Sequence, residues 1–313
     1  MKLPEETAIR FSGDDVSRAR FTGTKKTGGN NDQSERRVGP LAKEKWYFID
    51  SGAGTPSFNM ALDEVLLNRC ALGDKTPVLR FYEWNPPGLS LGYFQKTKGR
   101  IDREGARRFG VGIVRRLTGG LAVLHDHELT YSVIMPEDYP GIPQTVVGAY
   151  RVLSQGLLAG FRRLHLPAEL AVPVRRRRED HSPVCFEEAS WYELVVGGRK
   201  AAGSAQTRRK GVILQHGSIP LSVDDNKLFA CFQYPNDRVR KRMQRAFGGK
   251  AVALNDLSER QFSMEEVKSA FFHGFEEGLG VTLYRTGIDK DELTAAQRLA
   301  ESKYAAESWN FSR

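Results

Sequence analysis

The chain has 313 residues, 40% of them hydrophobic and 27% charged, a balance that excludes a disordered or fibrous protein and allows one large domain with appendages or two ordinary ones. No run reaches the ~18 apolar residues of a membrane helix, and the N-terminus lacks the apolar stretch of a secretory signal, so a cytoplasmic protein with no membrane contact is expected. A net charge of +9 favours an anionic partner, which charge alone leaves open between nucleic acid, a membrane surface and an acidic protein.

Residues 1–44 are polar, rich in glycine and charge and without a sustained apolar period, so they read as a flexible extension. Order begins at KWYFIDSG, where Trp46, Phe48 and Ile49 predict a short strand. A helix follows in TPSFNMALDEVLLNR, with Thr55 as its cap, Pro56 at the first position and Phe58, Leu62, Val65 and Leu66 on one face. PVLRFYEW reads as a strand and NPPG as its turn. A short helical stretch then shows Arg103, Arg107 and Arg108 on one side.

GVGIVRRLTGG is a strand running into a glycine loop, and ELTYSVIM is the next strand. TVVGAYRVLSQGLLAGFRRL is the clearest helix, with Val147, Tyr150, Leu157, Phe161 and Leu164 at helical spacing. VPVRRRREDHSP is an exposed loop. YELVVGGRKAAGSAQT and GVILQHGSIPL are strands, the first folded into a tight hairpin at Gly197-Gly198. Ser263 and Glu266 form a capping box ahead of Val267, Phe271 and Phe275, and a further helix covers DELTAAQRLAESKY. Strands and helices interleave without a strict β-α-β rhythm, which predicts an α+β fold with a mixed, largely antiparallel sheet and helices outside it.

The glycine loop RRLTGGLAVLHD lets backbone N–H groups approach a ligand oxygen, because no Cβ intervenes. It has neither P-loop nor dinucleotide-binding spacing, and a Gly-Gly turn is also an ordinary hairpin bend. His125 and His127 would share one face of an extended chain, but no third ligand accompanies them, so no metal is expected. Cys70, Cys185 and Cys231 are odd in number and lack metal-ligand spacing, which argues against a zinc site or a disulfide framework. Cys70 and Cys231 read as inert small hydrophobes. Cys185 follows the basic run Arg175 to Arg178 and His181, and the hairpin could bring Lys200 beside it. A cation at ~4 Å and an effective dielectric of ~20 interacts with a thiolate by about 4 kcal/mol, against ~1.36 kcal/mol per pKa unit, enough to ionise the sulfur near neutrality. The basic runs at 208–210 and 238–245 lack interleaved aromatics and read as solvated or partner-docking faces rather than nucleic-acid binders.

Taken together, RRLTGGLAVLHD, VCFEEASWYELVVGGRK and GGRKAAGSAQTRRKGVILQHGSI resemble the biotin/lipoate ligase and octanoyltransferase superfamily over roughly residues 46–257, and most of all its carrier-protein-dependent octanoyltransferases. The resemblance implies a ligase-type catalytic domain over 45–257 behind the extension 1–44, with 258–313 as a helical segment packed on it. It implies transfer of octanoyl from octanoyl-acyl carrier protein to a lysine of the glycine cleavage H protein or another lipoyl domain, in lipoate biosynthesis, through a thioester on Cys185 activated by Lys200. Arg115, Arg116, Thr118, Gly119, Gly120 and His125 of the loop, with Gly203, Ser204, Ala205 and His216 of the following strands, would then bind substrate, and the backbone N–H groups of Thr118 to Gly120 would stabilise an oxyanion. Burying the alkyl tail at ~0.8 kcal/mol per methylene would contribute roughly 5 kcal/mol.

No cofactor, no metal and no nucleic acid are implied, and a monomer is expected. An octanoyl amidotransferase from H protein to dehydrogenase lipoyl domains, or an ATP-dependent lipoate-protein ligase, are the alternatives. Leu121 stands where adenylate-forming ligases usually carry a third glycine, which suits a pocket that only lines an acyl chain.

Overall fold

Strand β1 (Lys45–Gly54) and helix α1 (Pro56–Leu72) open the fold as the sequence predicts, with the Thr55 hydroxyl accepting from the Phe58 N–H at 3.2 Å and Pro56 in the first turn. The computed structural model describes residues 44–171 and 193–313. The expectations for residues 1–43, for the loop VPVRRRREDHSP, for Arg175 to Arg178 and for Cys185 lie outside the described residues.

The large sheet contains β1, β2 (Val78–Trp84), β6 (Glu128–Pro136), β7 (Ala168–Ala171), β8 (Glu193–Val196), β9 (Arg199–Arg209), β10 (Val212–Pro220) and β11 (Thr282–Arg285), in the order β11-β1-β2-β6-β10-β9-β8-β7. β1 pairs in parallel with β2 and β11, and every other pairing in it is antiparallel, so the expected mixed, largely antiparallel α+β fold is what forms. A second sheet joins β4 (Gly112–Arg115), β3 (Gly88–Leu91) and β5 (Val123–His125) in that order. β3, β5, β7 and β11 have three or four residues each and carry too short a period to be read locally.

Period-two alternation divides the strands between two helical layers. Leu79 and Phe81 of β2, Tyr131 and Val133 of β6 and Ile213 of β10 face α3 (Val146–Arg163) and α6 (Met264–Leu279) in the main core. α6 begins with the predicted capping box: the Ser263 hydroxyl accepts from the Glu266 N–H, and the Glu266 carboxylate accepts from the Ser263 N–H. The two helices cross at glycines, and a Cβ on Gly274 would meet the Gly160 backbone nitrogen at 2.4 Å.

The opposite sheet face packs against α1, where Ile49, Leu62, Leu66, Ile134, Val212 and Leu214 cluster with Ala296 of α7 (Lys290–Leu299). A short helix α2 (Arg103–Arg108), then α4 (Asp225–Ala230) and α5 (Asp237–Gly248), surround a smaller core of Leu89, Leu91, Leu228, Phe229, Cys231 and Phe247. The chain closes with α8 (Glu307–Asn310). The run 238–245, read as a charged face, is most of α5. Its apolar positions, Val239, Met243 and Phe247, are too sparse among arginines to announce a helix.

Candidate active site

Along β6 and β10 the face that meets α1 changes character. Ile134 and Val212 with Leu214 are apolar, whereas further along the same face come Ser132, Thr130 and Glu128 on one strand and His216 and Ser218 on the other. All five polar side chains are buried. Buried polar groups need partners, and these find them in α1 and in the small sheet that covers this end of the large one.

Asp63 of α1 is the first such partner. Its carboxylate accepts from Arg80 at 2.7 Å, from Ser132 at 2.9 Å, from the Tyr82 hydroxyl at 3.2 Å and from His216 Nδ1 at 3.3 Å. Burial works to raise this carboxyl, but Arg80 and His216 outweigh it and hold it below the usual carboxylate value. Burial lowers the His216 imidazole, with Asp63 opposing in part. A neutral His216 therefore carries its proton on Nδ1, facing the carboxylate, and its bare Nε2 accepts from the Thr118 hydroxyl at 2.7 Å. Arg116 Nε donates to that same hydroxyl at 3.1 Å, so its own proton is directed to the histidine. Asp63, His216 and Thr118 thus form one oriented relay from α1 to the glycine loop.

A second relay runs parallel to it. His125 Nδ1 donates to Glu128 at 2.7 Å, its Nε2 meets the Ser90 hydroxyl at 2.7 Å, and its ring stacks on Trp84 at 4.1 Å between centroids. Glu128 also accepts from the hydroxyls of Thr130 and Ser218. His127 lies apart, paired with Ser222, and among the described residues no cluster of metal-ligating side chains forms.

The glycine loop is braced from within. Arg116 donates to the Ser90 carbonyl at 2.7 Å and to the Gly119 and Leu121 carbonyls at 2.8 Å each. Gly120 sits at φ +91°, and a Cβ on Gly92 would stand 1.8 Å from the Gly120 carbonyl oxygen, so the loop lies against bare backbone. Among the described residues no acceptor meets the Gly119 or Gly120 N–H groups, which leaves them open to a ligand oxygen.

Between loop and strands lies a cavity of about 90 Å³. Arg116, Gly120 and His125 wall one side; Lys200, Gly203, Ser204, Ala205 and His216 wall the other. Met60, Tyr82, Trp84 and Val123 make up much of the remainder, which gives the slot an apolar lining fit for an alkyl chain. Lys200 is buried, its Nζ 3.2 Å from Glu193 Oε1. Its backbone is clamped to the segment after α5: its N–H donates to the Lys250 carbonyl at 2.8 Å, and its carbonyl accepts from the Val252 N–H at 3.0 Å. The Gly197-Gly198 hairpin forms as predicted, with both residues at positive φ.

Of the residues singled out from the sequence, eight thus border one cavity. Thr118 and Gly119 act on it through Arg116 and His216. Arg115 does not belong with them: its guanidinium donates to the carbonyls of Gly92, Gln95 and Asn310 at 2.6 to 3.1 Å, so it ties β4 to the C-terminal end of the chain. Adjacent strand residues point to opposite faces, which is why two neighbouring arginines part company here. Cys70 and Cys231 are buried as expected; burial raises both thiols, Cys231 to about 12. Sequence reasoning missed Asp63 and Glu128. The available signal for Asp63 was a carboxylate interrupting the apolar face of α1.

A ligase-type sheet with a braced glycine loop facing a buried lysine defines a class, and sequence comparison agrees: the chain belongs to the family described as the lipoyl protein ligase A/B catalytic domain, whose model matches residues 55–276. It is 55% identical to an octanoyltransferase LipM of Anoxybacillus flavithermus and 53% identical to one of Bacillus subtilis, each time over 87% of this chain and 100% of the relative. With relatives of this kind, the chain is an acyltransferase. Among solved structures, a bipartite lipoate protein ligase of Thermoplasma acidophilum shares the fold, with a TM-score of 0.72 and 24% identity over 86% of this chain and 96% of that one.

Proposed function

We propose that the protein moves octanoyl from octanoyl-acyl carrier protein to a lysine of a lipoyl-type domain, such as the glycine cleavage H protein, in lipoate biosynthesis. The observation that carries this reading is the apolar slot with Lys200 on one wall and, on the other, the glycine loop, whose Gly119 and Gly120 N–H groups meet no acceptor among the described residues. The similarity to octanoyltransferases LipM supports it.

In this reading the Cys185 thiolate attacks the donor thioester, and the Gly119 and Gly120 N–H groups hold the developing oxyanion. The donor carbon–sulfur bond breaks, its sulfur leaves with the proton of Lys200, and octanoyl stays on Cys185. An acceptor lysine amine then attacks that thioester, Lys200 takes back a proton, and the Cys185 thiolate is released. Thioester exchange followed by amide formation runs forward without ATP. Arg116, His216 and Thr118 hold the loop in shape, and Met60, Tyr82 and Trp84 receive the chain.

The test is intact-protein mass spectrometry after mixing with octanoyl-acyl carrier protein. The expected outcome is one octanoyl adduct that hydroxylamine removes and that Cys185→Ala does not form. Full turnover by Cys185→Ala, or transfer that needs ATP and releases pyrophosphate, would overturn the reading. Acylation by octanoylated H protein alone would reverse the assignment of the donor.

A further inference from the structure

Helix α5 carries Arg238, Lys241, Arg242 and Arg245 at positions i, i+3, i+4 and i+7, and all four are exposed. Its other face is anchored, with Met243 and Phe247 packed on Leu228, Phe229 and Cys231. Asp237, the helix's only carboxylate, is engaged by Arg240 at 2.7 Å and Lys241 at 3.1 Å. Among the described residues no carboxylate pairs with Arg238, Arg242 or Arg245. Lys241 is thus partly offset by Asp237, whereas the like charges of Arg238, Arg242 and Arg245 stand on one stripe with no carboxylate partner among the described residues.

The position of the stripe gives it a use. Phe247 and Gly248, at the end of α5, line a second cavity of about 290 Å³, and Val123 and Ser218 are walls of both this cavity and the slot at Lys200. The backbone just beyond the helix is the segment hydrogen-bonded to Lys200. Arg199, Asp225 and Asp256 set polar groups among the otherwise apolar walls of the larger cavity, a mixed lining suited to an arm that bears both methylenes and amides. The C-terminal end of this 12-residue, roughly 18 Å helix therefore borders a cavity that shares walls with the apolar slot at Lys200.

We infer that α5 is the docking surface for the acyl donor, an acidic carrier protein whose prosthetic arm reaches Lys200 through the larger cavity. The inference rests on the acyl-transfer reading above. Charge selects an acidic partner, and reach selects the donor: a group carried on a long arm can be delivered past the end of the helix, whereas an acceptor's own lysine side chain is too short to follow that path.

The test uses the full chain bearing Arg238→Glu, Arg242→Glu and Arg245→Glu, with two donors: octanoyl on the acidic carrier protein and octanoyl-pantetheine, which has the arm without the protein. The kcat/KM for the carrier-borne donor should fall at least about tenfold and lose most of its salt dependence, while octanoyl-pantetheine reacts as with the wild type. An unchanged melting temperature and an intermediate loss in the triple glutamine variant should accompany this. Equal rates with the carrier, an equal loss with both donors, or a loss confined to the acceptor half-reaction would overturn the inference. Failure of the wild type to form an adduct with either donor would overturn the acyl-transfer reading itself, and the docking assignment with it.

Discussion

The Thr118 hydroxyl has one direction for its proton, because Arg116 already donates to its oxygen and His216 Nε2 waits 2.7 Å away. That direction holds only while His216 is neutral, and burial keeps it so by lowering its pKa. The sign of the pH effect follows. Below the ordinary histidine value of about 6.5 the unfolded chain takes up a proton that the folded chain does not, so stability is complete above that pH and is lost as pH falls toward the lowered folded value. Asp63, also lowered, acts with the same sign in the carboxylate range. Thermal melts between pH 7.5 and 5 should therefore show the wild type losing melting temperature below about pH 6.5 more steeply than His216→Gln. Parallel curves would show that the imidazole is not the group responsible.

Among the elements, the crossing of α3 and α6 is set by what it lacks. Gly274 packs directly on the Gly160 backbone, and Gly278 likewise stands where a Cβ would meet the Gln155 carbonyl oxygen at 2.2 Å. Alanine is the better helix former by about 1 kcal/mol, so a free helix would gain from Gly274→Ala. Here the added methyl meets backbone, which cannot swing away, and the helices must part. We expect Gly274→Ala to destabilise by about 2 kcal/mol net, in the range of overpacked cores, seen as a lower denaturant midpoint. A raised midpoint would mean that the crossing is looser than these contacts require.

For the molecule as a whole, the C-terminus is part of the scaffold under the site. Asn310 accepts from the Arg115 N–H at 2.8 Å and Trp309 donates to the Arg115 carbonyl at 2.9 Å, so α8 grips β4 on both sides of the residue that enters the glycine loop. The Arg313 carbonyl accepts from the Thr97 N–H at 2.9 Å. The family match ends at 276, yet supports of the residue that enters the loop lie at Trp309 and Asn310. Removing residues 288–313 would strip the buried Arg115 guanidinium of its Trp309 and Asn310 acceptors and uncover the apolar face of α1. The guanidinium keeps its Gly92 and Gln95 acceptors, so the main loss is apolar burial on α1, at about 25 cal/mol per Å² uncovered, set against a typical domain stability of only about 5–15 kcal/mol. The truncated chain should lose its cooperative thermal transition, and a truncated protein that melted like the full chain would refute this role.

The local features were legible because their causes are local. Thr55 and Pro56 starting α1, the Ser263–Glu266 box starting α6 and the Gly197-Gly198 hairpin each depend on bonds between residues a few positions apart, so the chain alone determines them. The glycine loop and the lysine strand are singled out as candidates by their resemblance to a known family rather than by any local bond. Long-range pairing settled the rest. β3, β5, β7 and β11 exist because a distant strand satisfies their backbone groups, and α5 because Phe247 and Met243 find a core that its arginines conceal in the sequence. Arg115 and Arg116 are identical neighbours, yet one holds the C-terminus and the other the loop. Likewise, that His216 meets Asp63 follows from the register of β10 on β6 and from α1 lying across both, whereas His125 meets a carboxylate only three residues along the chain. A buried polar group takes its protonation and direction from whichever partner the packing brings within about 3 Å, and that partner is decided by the assembled sheet and helices.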